Sequence, residues 1–148
     1  MRILAQRVKS ASVSVEGRKS AEIRKGLLLF VGISKDDTKD DIEYLSNKVL
    51  NLRIFEDEVG KMNLSVRQVN GEILSVPQFT LYAYTLKGNR PGFEQSAEPL
   101  KAKHLWEEFN SSLIRNSVIL KSGNFGAHMQ VELINDGPVT IWLDSKET

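Results

Sequence analysis

The segment Gly26–Ile33 constrains the fold more than any other part of this sequence. Within it, Leu27–Val31 is apolar at every consecutive position. A strand with one face in water alternates apolar and polar residues, so an unbroken run predicts a strand buried on both faces. The run is also far too short to cross a lipid bilayer. We therefore expect a strand inside the fold that is covered on both sides.

Turn residues divide the other strand-like segments into pairs. Glu16-Gly17 predicts a turn in the first quarter of the chain. Asn70-Gly71 between two apolar runs is a strong signal for a second hairpin, because both turn positions favour positive φ. Asn135-Asp136-Gly137-Pro138 separates the last pair. The predicted strands are Ala11–Val15 with Lys19–Ile23, Val66–Val69 with Glu72–Val76, and Met129–Ile134 with Val139–Leu143.

Two segments have the spacing of amphipathic helices. The first follows Thr38 as N-cap and ends near Asn51, and the acidic cluster Asp36–Asp41 is interpreted as a solvated helix start rather than a metal site. The second runs from about Glu98 to Asn116. The apolar stripes contain Ile42, Leu45, Val49 and Leu52 in the first helix, and Leu100, His104, Leu105, Phe109, Leu113 and Ile114 in the second.

This order of elements predicts an α+β fold with a mostly antiparallel sheet or barrel-like core and two main helices. The length of 148 residues fits a single domain over residues 1–148, and an apolar share of 41% is ordinary for a globular protein. Arg7 occurs too early for a signal peptide. We expect a soluble, cytoplasmic protein.

The composition excludes several kinds of chemistry. The chain has no Cys, so it has no disulfide, thiolate zinc site or cysteine nucleophile. Its two histidines, His104 and His128, are too few for a histidine-rich metal centre. The helical stripe favours a packed or half-exposed His104 over a catalytic one, whereas the role of His128 stays open. Nucleophile-elbow, phosphate-loop and dinucleotide motifs are absent. We expect neither a metal nor a cofactor, and a net charge of +1 indicates no bulk attraction to nucleic acid.

Two polar irregularities interrupt the strand-like sequence. Pro77 predicts a kink or a strand end, and Gln78 and Thr80, two residues apart, would share one strand face. The alternative for this segment is an edge strand with ordinary outward-facing polar residues. The second irregularity is Gly137-Pro138, for which a tight turn is the default interpretation and a cis peptide the alternative.

Eight short blocks in order span nearly the whole chain. They are Gln6-Arg7-Val8, Ala11-Ser12-Val13, Arg53-Ile54-Phe55, Gly60-Lys61-Met62-Asn63-Leu64-Ser65, Gln78-Phe79-Thr80-Leu81, Gly88-Asn89-Arg90-Pro91, Phe125-Gly126-Ala127 with Met129, and Asn135-Asp136-Gly137-Pro138-Val139-Thr140. Together these blocks resemble the D-aminoacyl-tRNA deacylase (D-tyrosyl-tRNA(Tyr) deacylase) family. The family usually has Ser where this chain has Pro77, and a Pro-Gln-x-Thr motif is typical of a related deacylase that removes L-alanine from mischarged tRNA. Phe79 and the Gly137–Thr140 run resemble the D-specific type.

The resemblance implies a homodimer that hydrolyses the ester of D-aminoacyl-tRNA, with glycyl-tRNA as a further substrate and without a DNA or membrane partner. A cis Gly137-Pro138 segment of one subunit would enter the other subunit's pocket, hold the α-amino group and reject L-amino acids. Thr80 and backbone N–H groups would stabilise the oxyanion, while the terminal 2′-hydroxyl activates water.

The resemblance also implies roles for the other site residues. Gln78 would orient the substrate, Phe79 and Phe125 would wall the pocket or stack on the terminal adenine, and Arg7 would brace the Gly-Pro segment. Pro77 belongs to the same substrate-binding set. Three alternatives remain: an L-alanyl-tRNA deacylase, a non-catalytic tRNA-binding module, and a hydrolase of free D-amino acid esters.

Overall fold

The chain forms eight strands and two helices within residues 1–147, the residues that the computed structural model describes. Six strands make one mixed sheet that is nearly closed into a barrel, and two short strands pair separately. The α+β fold with two helices is therefore confirmed. The elements are β1 (Arg2–Val15), β2 (Arg18–Ile23), β3 (Gly26–Gly32), α1 (Lys39–Asn51), β4 (Phe55–Glu56), β5 (Met62–Leu64), β6 (Glu72–Pro77), a 3₁₀ turn (Phe79–Tyr82), α2 (Pro99–Arg115), β7 (Ile119–Ser122) and β8 (Gln130–Asp144).

The apolar strand β3 lies inside the sheet, as its unbroken run predicts. It pairs antiparallel with β1 and parallel with β6, which in turn pairs parallel with β7. Leu27 and Leu29 belong to the main core, which also contains apolar side chains of both helices. Leu28 points to the other face, into a second core with residues of β1, β2 and β6. The two cores account for the lack of polar residues along this strand.

The long strand β1 at the start of the chain pairs with β8 near its end. One edge pairs first with β3 and then with β2, and the other pairs with β8 from Arg2 to Ser14. The hairpin predicted at Glu16-Gly17 is confirmed. The two strands predicted at the end of the chain are one strand, β8, with register shifts where Val8 meets Asn135. Gly137-Pro138 lies inside this irregular stretch.

The hairpin predicted at Asn70-Gly71 is wrong. Residues 66–70 form a turn in which Gly71 N–H donates to the carbonyl of Val66, and β6 pairs in parallel with β3 instead. Asn70 has a positive φ of 52°, but Gly71 does not adopt that conformation. Val66 is completely buried in the main core. Burial of Val66 and pairing with β3 therefore override the local turn signal.

The helix α1 has its predicted bounds, but its acidic start is only partly solvated, since Asp36 and Asp40 are exposed and the other two acids are not. Thr38 is the N-cap, and its N–H donates to the Asp41 carboxylate at 2.8 Å. Asp37 and Asp41 are both buried. Asp37 binds the Met1 ammonium, and Asp41 accepts a hydrogen bond from Ser145 and pairs with Lys146. These carboxylates tie α1 to both ends of the chain, a long-range role that a local charge pattern does not reveal.

The helix α2 lies close to its predicted bounds, but its buried face is rotated from the predicted stripe. Leu100 and Ile114 are exposed, as is the His104 side chain. The buried face consists of Leu105, Trp106, Phe109, Asn110 and Leu113. Among residues 1–147, neither helix is long and apolar enough to span a membrane.

Candidate functional site

The segment after β6 leaves the sheet at Pro77, where the sequence predicts a strand end. The N–H of Gln78 still donates to the carbonyl of Val31 at 2.7 Å, and the chain then enters the 3₁₀ turn. Thr80 therefore lies in a turn, and the edge-strand alternative is wrong. The side-chain amide of Gln78 donates to the Thr80 hydroxyl, so the two residues meet through the turn rather than on a strand face.

Gly32 allows this turn to pack closely on the end of β3. A Cβ at Gly32 would stand 3.0 Å from the carbonyl oxygen of Gln78 and 3.1 Å from Leu81 Cβ. Such distances are shorter than ordinary van der Waals contacts. The glycine thus lets the Thr80 turn sit directly against the buried strand, which fixes its position.

A cavity of about 510 Å³ opens beside Gln78. Its walls are mainly apolar, and they are contributed by β3, β6, the start of α2 and the segment before β8. Polar groups come from Gln78, Ser96 and His128. The lining consists of Val31, Ile33, Val76, Pro77, Gln78, Phe79, Ser96, Ala97, Pro99, Ala102, Trp106, Phe125, Gly126, Ala127, His128, Met129 and Val131. Four residues singled out from the sequence, namely Pro77, Gln78, Phe79 and Phe125, therefore share one cavity.

Aromatic rings form part of the wall of this cavity. Phe79 is 57% exposed, and its ring meets Phe93 edge-on with centroids 4.8 Å apart. Phe125 packs against Trp106 at 5.9 Å, and the Trp106 indole N–H donates to the buried Ser75 hydroxyl at 2.9 Å. The exposed face of Phe79 and the wall at Phe125 can receive a planar ring such as a nucleobase.

The Gly137-Pro138 peptide bond is cis, and Arg7 holds the chain just before it. Arg7 is buried; its Nε donates to the carbonyl of Asp136 at 3.2 Å and its Nη1 to the carbonyl of Ile54 at 2.7 Å. Arg7 Nε also lies 3.4 Å from the Asp136 carboxylate. One guanidinium thus joins the Gly-Pro segment to the chain before β4.

Side chains that flank Gly137-Pro138 in the sequence make further hydrogen bonds around this segment. The Asn135 amide donates to the carbonyls of Arg7 and Val139 at 3.0 and 3.1 Å. The Thr140 hydroxyl lies within hydrogen-bond distance of Asn135 Oδ1 and of the carbonyl of Pro138. The segment is therefore held by contacts before, within and after it.

The structure does not bring all the predicted site residues into one cavity of a single chain. Pro77, Gln78, Phe79 and Phe125 line the cavity, and Thr80 is hydrogen-bonded to Gln78. Arg7, Gly137 and Pro138 form a separate, braced group and are not part of that lining.

The sequence interpretation did not single out Trp106, although its side chain forms a wall of the cavity. A broader helical stripe that continued from Ala102 through Leu105 and Trp106 to Phe109 would have included it. His128 also lines the cavity, and its ring lies 3.2 Å from the Gln130 amide. Within the described chain, no group of three or more His, Cys, Asp or Glu residues is placed to hold a metal ion, and the absence of a metal or cofactor stays a prediction.

Two solved structures share this fold. A structure described as the c-Myc DNA unwinding element binding protein superposes with a TM-score of 0.92 and 43% identity, over 97% of this chain and 98% of that one. A probable eukaryotic D-amino acid tRNA deacylase superposes with a TM-score of 0.84 over 96% and 97% of the two chains. At 16% identity, the second likeness shows the fold alone.

The sequence comparisons then show the family. The family model for D-Tyr-tRNA(Tyr) deacylase matches residues 4–144. D-aminoacyl-tRNA deacylases of Thermosipho africanus and Thermotoga petrophila are 54% and 53% identical over 147 residues, which is 99% of this chain and of each relative. This chain therefore belongs to the D-Tyr-tRNA(Tyr) deacylase family.

Proposed function

We propose that this chain hydrolyses the ester of D-aminoacyl-tRNA and releases the free D-amino acid and tRNA. Family membership over residues 4–144 and two relatives named for that activity support the reaction class. The observation that carries the proposal is the Thr80 hydroxyl, held by Gln78 beside an aromatic-walled cavity. The reaction removes D-amino acids from tRNA before they reach protein synthesis, and we place it in the cytoplasm.

The hydrogen bond between Gln78 and Thr80 favours a stabilising role for Thr80 over a nucleophilic one. An amide that donates to Oγ1 occupies an oxygen lone pair and cannot take the hydroxyl proton. That proton is then directed towards another acceptor, such as the oxyanion that forms when water attacks the ester carbonyl. A nucleophilic threonine would instead need a neighbouring base.

In the proposed reaction, water forms a bond to the carbonyl carbon while the terminal 2′-hydroxyl of the tRNA assists its deprotonation. Thr80 and nearby backbone N–H groups stabilise the negative charge on the carbonyl oxygen. The bond to the ribose 3′-oxygen then breaks, and that oxygen takes up the proton. Gln78 orients the substrate, Pro77 shapes the cavity beside it, and Phe79 or Phe125 stacks on the terminal adenine.

We assign enantiomer selection to the Gly137-Pro138 segment. Its backbone carbonyls would hold the α-amino group, and the same backbone would obstruct the side chain of an L-amino acid. Glycine has no side chain to obstruct, so glycyl-tRNA is also expected to react. The bonds from Arg7 and Asn135 support this assignment, because a steric selector has to be held in place.

We further propose that the active unit is a homodimer. Gly137 and Pro138 do not line the cavity beside Gln78 in their own chain. A second copy would supply the same segment across the interface and complete each site. Sedimentation of the purified protein would show a dimer, and a monomer with full activity would contradict this part of the proposal.

The decisive experiment compares D-tyrosyl-, L-tyrosyl-, glycyl- and L-alanyl-tRNA as substrates of the purified protein. We expect rapid hydrolysis of the D-ester and a large loss when the terminal ribose is 2′-deoxy. No turnover of D-tyrosyl-tRNA would contradict the proposal, and binding without hydrolysis would favour a tRNA-binding module. A hydrolysis rate that is unchanged on removal of the terminal 2′-hydroxyl would favour a hydrolase of free D-amino acid esters.

L-alanyl-tRNA is the second candidate substrate because Pro77 occupies the position before Gln78 and lines the cavity. Faster hydrolysis of L-alanyl- than of D-tyrosyl-tRNA would favour it. The absence of DNA as a partner also stays a prediction, and the name of the c-Myc DNA unwinding element binding protein describes that protein alone.

A further inference from the structure

Two surface grooves at the end of α1 join to form one basic surface. They have volumes of about 500 and 550 Å³ and share Asn51 and Arg53 in their linings. The first groove extends along α1 past Lys48, and the second reaches Arg67 in the turn before β6. We call the joined surface, defined by Lys48, Asn51, Arg53 and Arg67, the basic groove.

The basic groove is positively charged without a compensating acid. Its full lining holds three cations, Lys48, Arg53 and Arg67, and not one carboxylate. The ion pairs among residues 1–147 do not include these three side chains. Since the net charge of the chain is only +1, this positive potential is a local feature.

The groove between the two helices provides a contrast. Its lining also contains cations, including Lys39, but they are accompanied by Glu43, Glu107 and Glu108. Lys39 lies 3.9 Å from Glu108 and is thereby partly compensated. Both grooves therefore contain exposed cations. The basic groove differs because no carboxylate occurs among its lining residues.

Neutral groups hold the cations of the basic groove. Arg67 Nη2 donates to Asn51 Oδ1 at 2.8 Å, and Arg53 donates to the carbonyl and the side-chain oxygen of Asn63. Lys48 lies 5.5 Å from the centre of the Tyr44 ring. These contacts orient the guanidinium groups without neutralising them, so their full charge and their other N–H donors remain for an anion.

The basic groove lies beside the segment that braces the proposed selector. Arg53 directly precedes Ile54, whose carbonyl accepts the 2.7 Å hydrogen bond from Arg7. Arg7 also donates to Asp136, next to Gly137. In the proposed dimer, this Gly137-Pro138 segment enters the cavity of the other subunit, so a tRNA whose end lies in that cavity would pass close to this groove with its charged backbone.

We infer that the basic groove binds the sugar-phosphate backbone of the tRNA behind its aminoacylated end. This inference rests on the proposed function, because it assumes that the substrate is a tRNA. Guanidinium and ammonium groups are the usual protein partners of RNA phosphates, and such contacts are independent of base sequence. The groove then adds affinity for tRNA without touching the reacting ester.

The test compares a long and a short substrate of the same ester. The double variant Lys48→Gln/Arg67→Gln removes two charges from the groove. The matched control, Lys19→Gln/Lys103→Gln, removes two charges that are paired with Glu22 and Glu107 elsewhere on the surface. We expect the groove variant to lose about tenfold or more in kcat/KM on D-tyrosyl-tRNA at moderate salt, with no comparable loss on D-tyrosyl-adenosine.

The salt dependence gives a second readout. Each lost phosphate contact should lower the slope of log(kcat/KM) against log(salt) by about 0.7 to 0.9, so the groove variant should show a slope shallower by about 1.5. An unchanged slope, equal losses on both substrates, or a loss matched by the control variant would overturn the inference.

A binding measurement separates this inference from the proposed function. If the wild-type protein hydrolyses neither ester, the proposed function fails, and filter binding of uncharged tRNA still tests the groove. Weaker, less salt-dependent binding by the groove variant alone would then support the groove as an RNA site. Equal binding by wild type, groove variant and control would refute it.

Discussion

Arg2 Nη1 donates a hydrogen bond of 3.0 Å to the carbonyl oxygen of Leu81, which lies in the same 3₁₀ turn as Thr80. The same guanidinium donates from Nε to Asp144 at 2.9 Å and lies 4.4 Å from the centre of the Tyr82 ring. Tyr82 is buried, and its burial, together with the nearby carboxylates of Asp37 and Asp144, raises the pKa of its phenol. Arg2 therefore links a neutral, packed tyrosine and the end of β8 to the Thr80 turn.

Replacement of Arg2 should affect the reaction through the position of Thr80. We expect Arg2→Ala to lower kcat on D-tyrosyl-tRNA by about tenfold, with a smaller change in KM, because a displaced turn misaligns the Thr80 hydroxyl. Arg2→Lys should restore part of kcat. Asp144→Asn is the control, since it weakens the ion pair but leaves the bond to Leu81. Equal kinetic effects of Arg2→Ala and Asp144→Asn would argue against a positioning role.

Loss of the Thr80 hydroxyl should slow the reaction without unfolding the protein. Removal of one oxyanion donor typically costs about 100- to 1000-fold in rate, so Thr80→Ala should be impaired to that extent in single-turnover assays. Thr80→Ser keeps the hydroxyl and should retain most of the rate. Since Thr80 is exposed, the free energy of unfolding should change by less than about 0.5 kcal/mol. Full activity of Thr80→Ala would contradict the oxyanion role.

Gly26 should tolerate no side chain where β3 pairs with β6. A Cβ at this position would stand 1.8 Å from the carbonyl oxygen of Glu72, so Gly26→Ala must separate the two strands. We expect a loss of about 3 kcal/mol or more in the free energy of unfolding, measured by urea denaturation. Gly17→Ala is the comparison: no atom lies within 4 Å there, and its φ of +76° should cost only about 1 kcal/mol. Similar losses for both variants would show that β3 and β6 can move apart easily.

Asp41 should contribute to unfolding in acid. Burial by itself raises the pKa of Asp41, but hydrogen bonds from Lys146, Ser145 and the Thr38 N–H outweigh it and hold the pKa well below its usual 3.8. A carboxyl with a lowered pKa stabilises the fold above its unfolded-state pKa, and that stability is lost as the pH falls through the folded-state value. The loss should therefore begin below about pH 4 and continue towards the lowest accessible pH.

The measurement is the free energy of unfolding from pH 6 to pH 2 for the wild type and Asp41→Asn. At pH 6 the variant should be less stable by about 1.5 to 3 kcal/mol, because the neutral amide would fill the same space without making the charge-assisted bonds. The two curves should approach each other in acid. Parallel curves would show that the titration of Asp41 does not contribute.

Local patterns predict much of this fold because they report burial along one segment at a time. The unbroken run of β3, the turn at Glu16-Gly17 and the Thr38 cap each have one dominant local cause, and each agrees with the structure. At Asn70-Gly71 the local signal competes with parallel pairing to β3, a strand much earlier in the chain, and the pairing prevails. Burial of Asp37 and Asp41 likewise depends on the two ends of the chain, which no local window contains.

The candidate site likewise combines features that the local sequence predicts with contacts that it does not predict. The sequence by itself determined the residue types: Pro77 ends a strand because it lacks an N–H, and Gln78, Thr80 and Gly137-Pro138 stand out as polar or irregular within strand-like sequence. Only the tertiary structure decided how they meet, because the contacts join distant segments. Gly32 sets the Thr80 turn against β3, Arg7 ties Ile54 to Asp136, and α2 brings Trp106 into the wall of the same cavity as Phe79. Such distances depend on packing between elements, which a one-dimensional pattern does not contain.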